Sequence, residues 1–455
     1  RGFGVAMAWG TRRMMSSMVS SVRTGLTARL WQQRWDIQKY KQNATKMQYS
    51  FPPKKPKDSF LRAELKVHSD ELVRDQYLNY RGGLRFALLL EDIDAFAGNI
   101  AFMHCNDGDP DTIVPTLVTA SLDRLDIHDP ITLNLGQDFV LEGNVSWAGR
   151  TSLQIDVSLF PKSELLTTNS AHKLRCSMVF VCVDQKGKAF PINPLIPETP
   201  EDERRFKEGE KANLVRKEER KRSLKVSPPT EEESKILHRA MTVPDAIVDG
   251  LPMSAVSMQS VTIMQPQERN RAGKIFGGFL MHSAYELAYA TACTFAATSG
   301  NSTKACPQDP RGWRLGAPTV LALDDVSFAR PVSIGDVVKF RADVVYTGSN
   351  ESILMGGGHT GLSCIFQVRV ETRIVDLKTG NDAVSNEFHF TFLNRDPESS
   401  NILQLKPIPV KPIEPLSYGE GMLWLDGRRR MLEALQVVRE NKGFAYPVIE
   451  DVRTE

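Results

Sequence analysis

Asp123-Arg-Leu-Asp-Ile-His-Asp-Pro130 and Asp324-Asp-Val-Ser-Phe-Ala-Arg-Pro331 are two versions of one segment, an apolar-alternating strand running into a proline. Downstream, Val145-Ser-Trp-Ala-Gly149 is matched by Val344-Val-Tyr-Thr-Gly348. The offsets are 201 and 199 residues, so the register holds across two strands. A repeat this long is a duplicated domain and not a solenoid unit.

Working outward, each copy begins with a long, largely apolar helical stretch with few charges, Leu84 to His104 and Phe276 to Thr298. Apolar residues recur too densely there for a surface helix, so each helix is expected to be buried nearly all round. Alternating stretches then predict strands. In the first copy they are Thr116–Ile127, Gln137–Trp147, Ser152–Phe160 and Ser177–Val183. In the second they are Thr319–Ala329, Val337–Tyr346, Phe366–Asp376 and Asn386–Phe392. One buried helix and a run of antiparallel strands, twice, is an α+β chain built as a tandem (double) hotdog, each sheet wrapped around a central helix. The expected units are 60–198 and 250–395, joined by a charged linker at 199–240 and followed by a C-terminal extension at 396–455. Within the linker, 16 of the 22 residues from Glu201 to Arg222 are charged, seven acids and nine bases intermixed. Mixed signs suit a solvated helix or connection with i,i+4 pairs, not a nucleic-acid arm.

The chain has 455 residues, 41% hydrophobic and 25% charged, enough for a substantial core. Its 57 basic and 55 acidic residues are unevenly placed. Six arginines and no acid precede Asp36, which leaves 51 basic against 55 acidic residues in the remainder. An Arg-rich, Ser-rich, acid-free start is the composition of a mitochondrial transit peptide, here 1–35, with a plain basic tail as the other reading. The mildly acidic remainder offers no electrostatic reason to bind nucleic acid or anionic lipid. No window approaches the length of an apolar membrane span. The six cysteines form no C-x-x-C pair and the eight histidines are isolated, so no metal and no other cofactor is expected. Scattered thiols fit a reducing interior such as the mitochondrial matrix.

Several motifs carry a family resemblance. Gln265-Pro-Gln-Glu-Arg-Asn270, Ile275-Phe-Gly-Gly-Phe-Leu280 and Tyr285-Glu-Leu-Ala288 resemble the second hotdog of the mitochondrial acyl-CoA thioesterase 9 family, double-hotdog thioester hydrolases. Leu90-Glu-Asp-Ile-Asp94 resembles its first-domain helix. Val145-Ser-Trp147, Asn193-Pro-Leu-Ile-Pro-Glu198 and Tyr418-Gly-Glu-Gly-Met-Leu-Trp-Leu-Asp-Gly427 extend the likeness over roughly Val67 to Gly427. The resemblance implies hydrolysis of acyl-coenzyme A to free fatty acid and coenzyme A, with further assembly of the double unit into homo-oligomers.

The chemistry has its own logic. A thioester carbonyl needs a donor for its developing oxyanion and a base for water. Gly277-Gly278 at a helix start lets a ligand approach backbone N–H groups, and Asn270 on the preceding loop offers an amide. Acids in an apolar helix are costly unless paired or functional, which singles out Glu91, Asp92 and Asp94. From the resemblance, Asn270 orients the water or the carbonyl. Asp94 is the general base, provided Ala87 takes the place of the second glycine in the first copy. Repeat symmetry gives a mirror pair: Asn79 sits where Asn270 would repeat, and Glu286 lies one residue past Tyr285, the Asp94 equivalent. Gly277, Gly278 and Ala87 are expected against the substrate. Glu91 and Asp92 read as structural.

Two stretches depart from the family pattern, 301–318 and the glycine-rich 353–361. The latter reads as a loop, because it does not open a helix after a strand as a phosphate-binding fingerprint does. There is no G-x-S-x-G, which excludes the usual serine-hydrolase elbow. Gly108-Asp-Pro-Asp111 is only a fragment of a hydratase motif. The competing reading is a catalytically inactive hotdog subunit or scaffold, distinguished by whether Asn270 and Asp94 meet across the interface.

Overall fold

A computed structural model describes residues 24–40, 50–299, 318–354, 361–396 and 407–440. Short breaks fall at 110, 114–115, 129–132, 165–171, 185, 243–246, 248 and 271–272. Helix α1 (Gly25–Tyr40) precedes strand β1 (Leu61–Leu65), α2 (Glu71–Tyr77) and the long α3 (Phe86–Cys105). Strands β2 (Thr116–Ile127), β3 (Phe139–Ala148), β4 (Ser152–Pro161) and β5 (Leu174–Val183) complete the first unit. Helices α4 (Pro200–Arg222) and α5 (Glu231–Thr242) lead to β6 (Leu251–Pro252), β7 (Met258–Ile263) and α6 (Gly277–Ser299). Then follow β8 (Thr319–Phe328), β9 (Val337–Thr347), α7 (Gly348–Leu354), β10 (Ile365–Val375), β11 (Asp382–Leu393), β12 (Ile413–Glu414) and α8 (Tyr418–Glu440).

Ten strands form one antiparallel sheet in the order β1-β3-β4-β5-β2-β8-β11-β10-β9-β7. The order is palindromic in the repeat: each strand of the first half has its counterpart at the mirrored position of the second. The seam is β2 against β8, where Arg124 pairs with Asp324 across strands at 3.1 Å. Each half-sheet curls around its own helix, which makes the chain a tandem hotdog. Helix α3 is buried on nearly every face because its sequence is apolar at nearly every position. Among the described residues, no helix is long and apolar enough to cross a membrane.

The repeat is visible in backbone detail. Leu78 bridges Leu84 in the turn before α3, and Arg269 bridges Ile275 in the turn before α6. Each turn contains a glycine at positive φ, Gly82 at 82° and Gly273 at 73°, a conformation that disfavours any side chain. These two turns aim the starts of the central helices at each other, and the starts define the functional site.

In three places the structure adds to the sequence expectations. Within the stretch 1–35, expected as a leader, the described residues begin at Thr24, and Leu26 and Leu30 are buried in the first core. The Thr24 and Thr27 hydroxyls donate to buried Asp92 on α3. Short polar side chains that reach a buried carboxylate, beside two leucines one turn apart, fix α1 as a part of the first unit.

The charged stretch is more than a connection. Helix α4 is capped by Thr199 and Asp202 and carries the expected i,i+4 pairing, as in Arg204–Glu208 at 2.6 Å. It also lies on the outer face of the first half-sheet: Arg205 donates to Asn144 and Asp156, and Arg216 pairs with Asp123. At Gly209 a Cβ would come within 2.5 Å of Trp147, so only glycine permits this approach.

Within the C-terminal extension, α8 does the same on the second unit. Gly427 meets Val345 and Tyr346, and Trp424 packs edge-on against Tyr346 at 4.8 Å. Trp147 and Tyr346 are the repeat equivalents noted in the sequence, so both outer faces are covered by a helix bearing a glycine notch. Helix α7 occupies the place where the first unit makes a tight turn, Gly149 N–H to Ser152 at 2.8 Å. Residues 301–317 and 355–360 of the two departures lie outside the described residues.

Candidate active site

Asp94 is the ninth residue of the buried helix α3, and only 3% of it is exposed. A carboxylate there needs partners. One comes from its own unit, the Thr119 hydroxyl of β2, 2.9 Å from Oδ1. The other comes from the opposite unit: the Gly278 N–H at the start of α6 donates to Oδ2 at 2.7 Å. A helix N-terminus carries unsatisfied N–H groups and partial positive charge, which favours the anion. Burial nevertheless dominates and pushes the Asp94 carboxyl up to about 6, against the lowering pull of Thr119, Gly278 and the Arg34 guanidinium. An acid poised near neutrality and touching both units is suited to take a proton from water.

Gly278 is sterically required, and Gly277 is closely hemmed in. A Cβ on Gly278 would lie 2.6 Å from the Phe276 ring and 2.9 Å from the Glu91 Cα. A Cβ on Gly277 would lie 3.1 Å from Asp94 Oδ2 and 3.4 Å from Phe328. Gly278 is buried and its N–H is given to Asp94. Gly277 is half-buried, and among the described residues its N–H has no hydrogen-bond partner.

Asn270 closes the turn before α6. Its N–H reaches the Lys274 carbonyl at 2.5 Å and its Oδ1 accepts the Lys274 N–H at 3.1 Å. It is thus held near the helix start, but the Asp94 oxygens are bonded to Thr119 and Gly278 and not to it. Asn79 occupies the equivalent turn, its Oδ1 accepting from Arg81 at 2.8 Å and Gly83 at 3.0 Å, its amide donating to Leu84 at 3.0 Å. All three of those bonds brace the turn.

The mirror end is built from different residues. Tyr285 stands where Asp94 repeats, buried with its ring 5.0 Å from Phe86. Ala87 is wholly buried in the first core. Glu286 points away, half-exposed, onto Arg85 at 2.9 Å. Its side chain is 44% exposed to solvent, whereas Asp94 is buried.

Sequence reasoning missed three contributors. Thr119 is one of many residues in an alternating strand, and nothing local marks it as an acid's partner. Arg34 was assigned to the leader. His282, read as an isolated histidine, lies with Nδ1 2.7 Å from Glu91 Oε1, and its Nε2 is 3.4 Å from Arg85. Its signal was repeat arithmetic, since Glu91 and His282 are themselves equivalents.

Two fused hotdog units, with one unit's Asp94 carboxylate seated on the Gly278 N–H at the start of the other's central helix, define a double-hotdog protein. No family model matches the chain. It is 33% identical over 397 residues to the mitochondrial acyl-coenzyme A thioesterase 9 of Homo sapiens, covering 84% of this chain and 79% of that one. It is 32% identical over 339 residues to the chloroplastic acyl-coenzyme A thioesterase 2 of Humulus lupulus, covering 72% and 70%. The chain belongs to the acyl-coenzyme A thioesterase 9 family. Among solved structures, an acyl-CoA hydrolase from Staphylococcus aureus in complex with butyryl coenzyme A is 22% identical, with a TM-score of 0.31, covering 42% of this chain and 97% of that one.

Proposed function

We propose that the protein hydrolyses acyl-coenzyme A thioesters at the Asp94 end of its interdomain interface. The observation that carries this reading is the 2.7 Å bond from the Gly278 N–H of one unit to the buried Asp94 carboxylate of the other. Water attacks the thioester carbonyl carbon and gives up a proton to Asp94. The Gly277 N–H polarises the carbonyl oxygen, and the Asn270 amide orients the water or the carbonyl. The C–S bond then breaks, and the proton passes to the departing sulfur, releasing coenzyme A and a free acid. Thr119 and Gly278 hold the base, an arrangement in which a hydroxyl and a helix start keep a buried carboxyl able to ionise near neutral pH.

The mitochondrial matrix is the proposed location, supported by the mitochondrial name of the human relative. Assembly of the double units into homo-oligomers is supported by the outer strand β7, whose Val261 and Ile263 are exposed at 62% and 56%.

The test is release of free thiol from short, medium and long acyl-coenzyme A by the purified full chain. Turnover on at least one chain length is expected. No turnover on any would favour the inactive-subunit reading.

A further inference from the structure

Helix α1 brings an arginine to the catalytic end of the interface. Residue Gly98 is one turn beyond Asp94 on α3, on the same face of the helix. Its missing side chain leaves a notch, and the Arg34 guanidinium fills it: a Cβ on Gly98 would lie 3.0 Å from Arg34 Nη1. Arg34 Nη2 reaches the Ala95 carbonyl at 3.4 Å, so the guanidinium spans the turn that follows Asp94.

The rest of α1 is fixed on both sides of the interface. Thr24 and Thr27 hold Asp92, and the Leu30 carbonyl accepts from the Asn99 amide at 3.1 Å. Trp31 packs edge-on against Phe276 at 5.2 Å, directly before Gly277-Gly278. The mirror end has no such notch, because Tyr289 stands at the Gly98 equivalent and stacks on Tyr285 at 5.9 Å.

We propose that Arg34 is a positioning residue for the reaction, a cation that α1 docks beside Asp94 to keep the base in its carboxylate form. The proposal rests on the reading of Asp94 as the base. The groups facing Asp94 are Arg34 from α1, Glu91 from α3, Thr119 from β2, Cys176 from β5 and the Gly278 N–H from α6. Burial keeps the Cys176 thiol neutral, and Glu91 opposes ionisation. Among these described groups, Arg34 carries the full positive charge. Removing it raises the Asp94 pKa, so the base-competent form requires a higher pH.

The experiment is the pH profile of kcat/KM for the full chain carrying Arg34→Gln, Arg34→Lys, Gly98→Ala or Asp94→Asn, with hydrogen exchange of residues 25–34 in each. Arg34→Gln should move the acid limb up by roughly one pH unit, and Arg34→Lys should keep it near the wild-type position. Gly98→Ala, which pushes the guanidinium out of its notch without removing the charge, should move the limb part of the way. An unmoved limb in Arg34→Gln with α1 still protected overturns the proposal, as does an equal shift in the lysine variant. A rise in kcat/KM above wild type in Arg34→Gln would make α1 a cover on the site and overturns it too. If Asp94→Asn is dead while Arg34→Gln is unshifted, only the role of Arg34 falls. If Asp94→Asn is fully active, the reading of the base falls first.

Discussion

Glu91 and His282 are 191 residues apart, occupy equivalent positions in the two units, and touch: His282 Nδ1 lies 2.7 Å from Glu91 Oε1. Equivalent residues meet only at the pseudo-twofold axis, so this pair marks it. Three residues further along each helix stand Asp94 on one side and Tyr285 on the other. The duplication therefore produced two geometrically equal ends, of which one carries an acid and the other an aromatic cluster.

That asymmetry predicts a one-sided mutational map. Glu286→Gln and Asn79→Ala should each leave kcat/KM within about threefold of wild type, as expected for partly exposed groups that pair with Arg85 or brace a turn. A loss of a hundredfold or more in Glu286→Gln, measured by steady-state hydrolysis, would relocate the base to the mirror end.

The two adjacent glycines should respond differently. Gly278→Ala forces a Cβ against the Glu91 backbone and should destabilise the protein by about 1–3 kcal/mol in urea unfolding. Gly277→Ala meets the Asp94 carboxylate end instead, so it should lower kcat/KM by roughly tenfold or more with little change in stability.

The raised pKa of Asp94 makes two pH statements. Activity should fall as pH drops below about 6, where the base is protonated. Stability runs the other way. A carboxyl whose folded pKa is above its unfolded value contributes stability below the unfolded pKa, and that contribution is lost as pH rises through about 6. Asp94→Asn, which cannot ionise, should be more stable than wild type by about 1–3 kcal/mol at pH 8, and the difference should vanish near pH 4. Chemical denaturation at the two pH values measures it.

His282→Ala removes a partner of a carboxylate that is only 4% exposed, at the centre of the interface. A loss of about 1–3 kcal/mol is expected from thermal or urea unfolding. An unchanged stability would mean that the pair does not help to hold the units together.

The fold was largely legible because its signals are local and repeated. The dense apolar runs mark α3 and α6, and alternation marks the eight central strands, several to within two residues of their ends. The edge strands β1 and β7 were missed because they are short and pair on one side only. The packing of helix α1 was not legible, because arginines without acids have the composition of a leader, whereas the contacts that hold the helix come from two buried leucines and from two threonines whose shared partner Asp92 lies 65 and 68 residues away. Asp94 was legible as an expensive acid in an apolar helix. Thr119 was not, since a hydroxyl on a strand acquires meaning only when the sheet curls over α3. The division of labour between Gly277 and Gly278 depends on which N–H the acid takes, a fact of interface geometry that sequence spacing does not contain.

On the proposed mechanism one carboxylate, Asp94, serves the whole double unit. The most direct measurement is steady-state hydrolysis of the best acyl-coenzyme A substrate by Asp94→Asn beside Glu286→Gln, at pH 8 where both are folded. The predicted result is a fall of about 10²–10⁴ in kcat/KM for Asp94→Asn and near-wild-type turnover for Glu286→Gln. Full activity in Asp94→Asn would contradict the account.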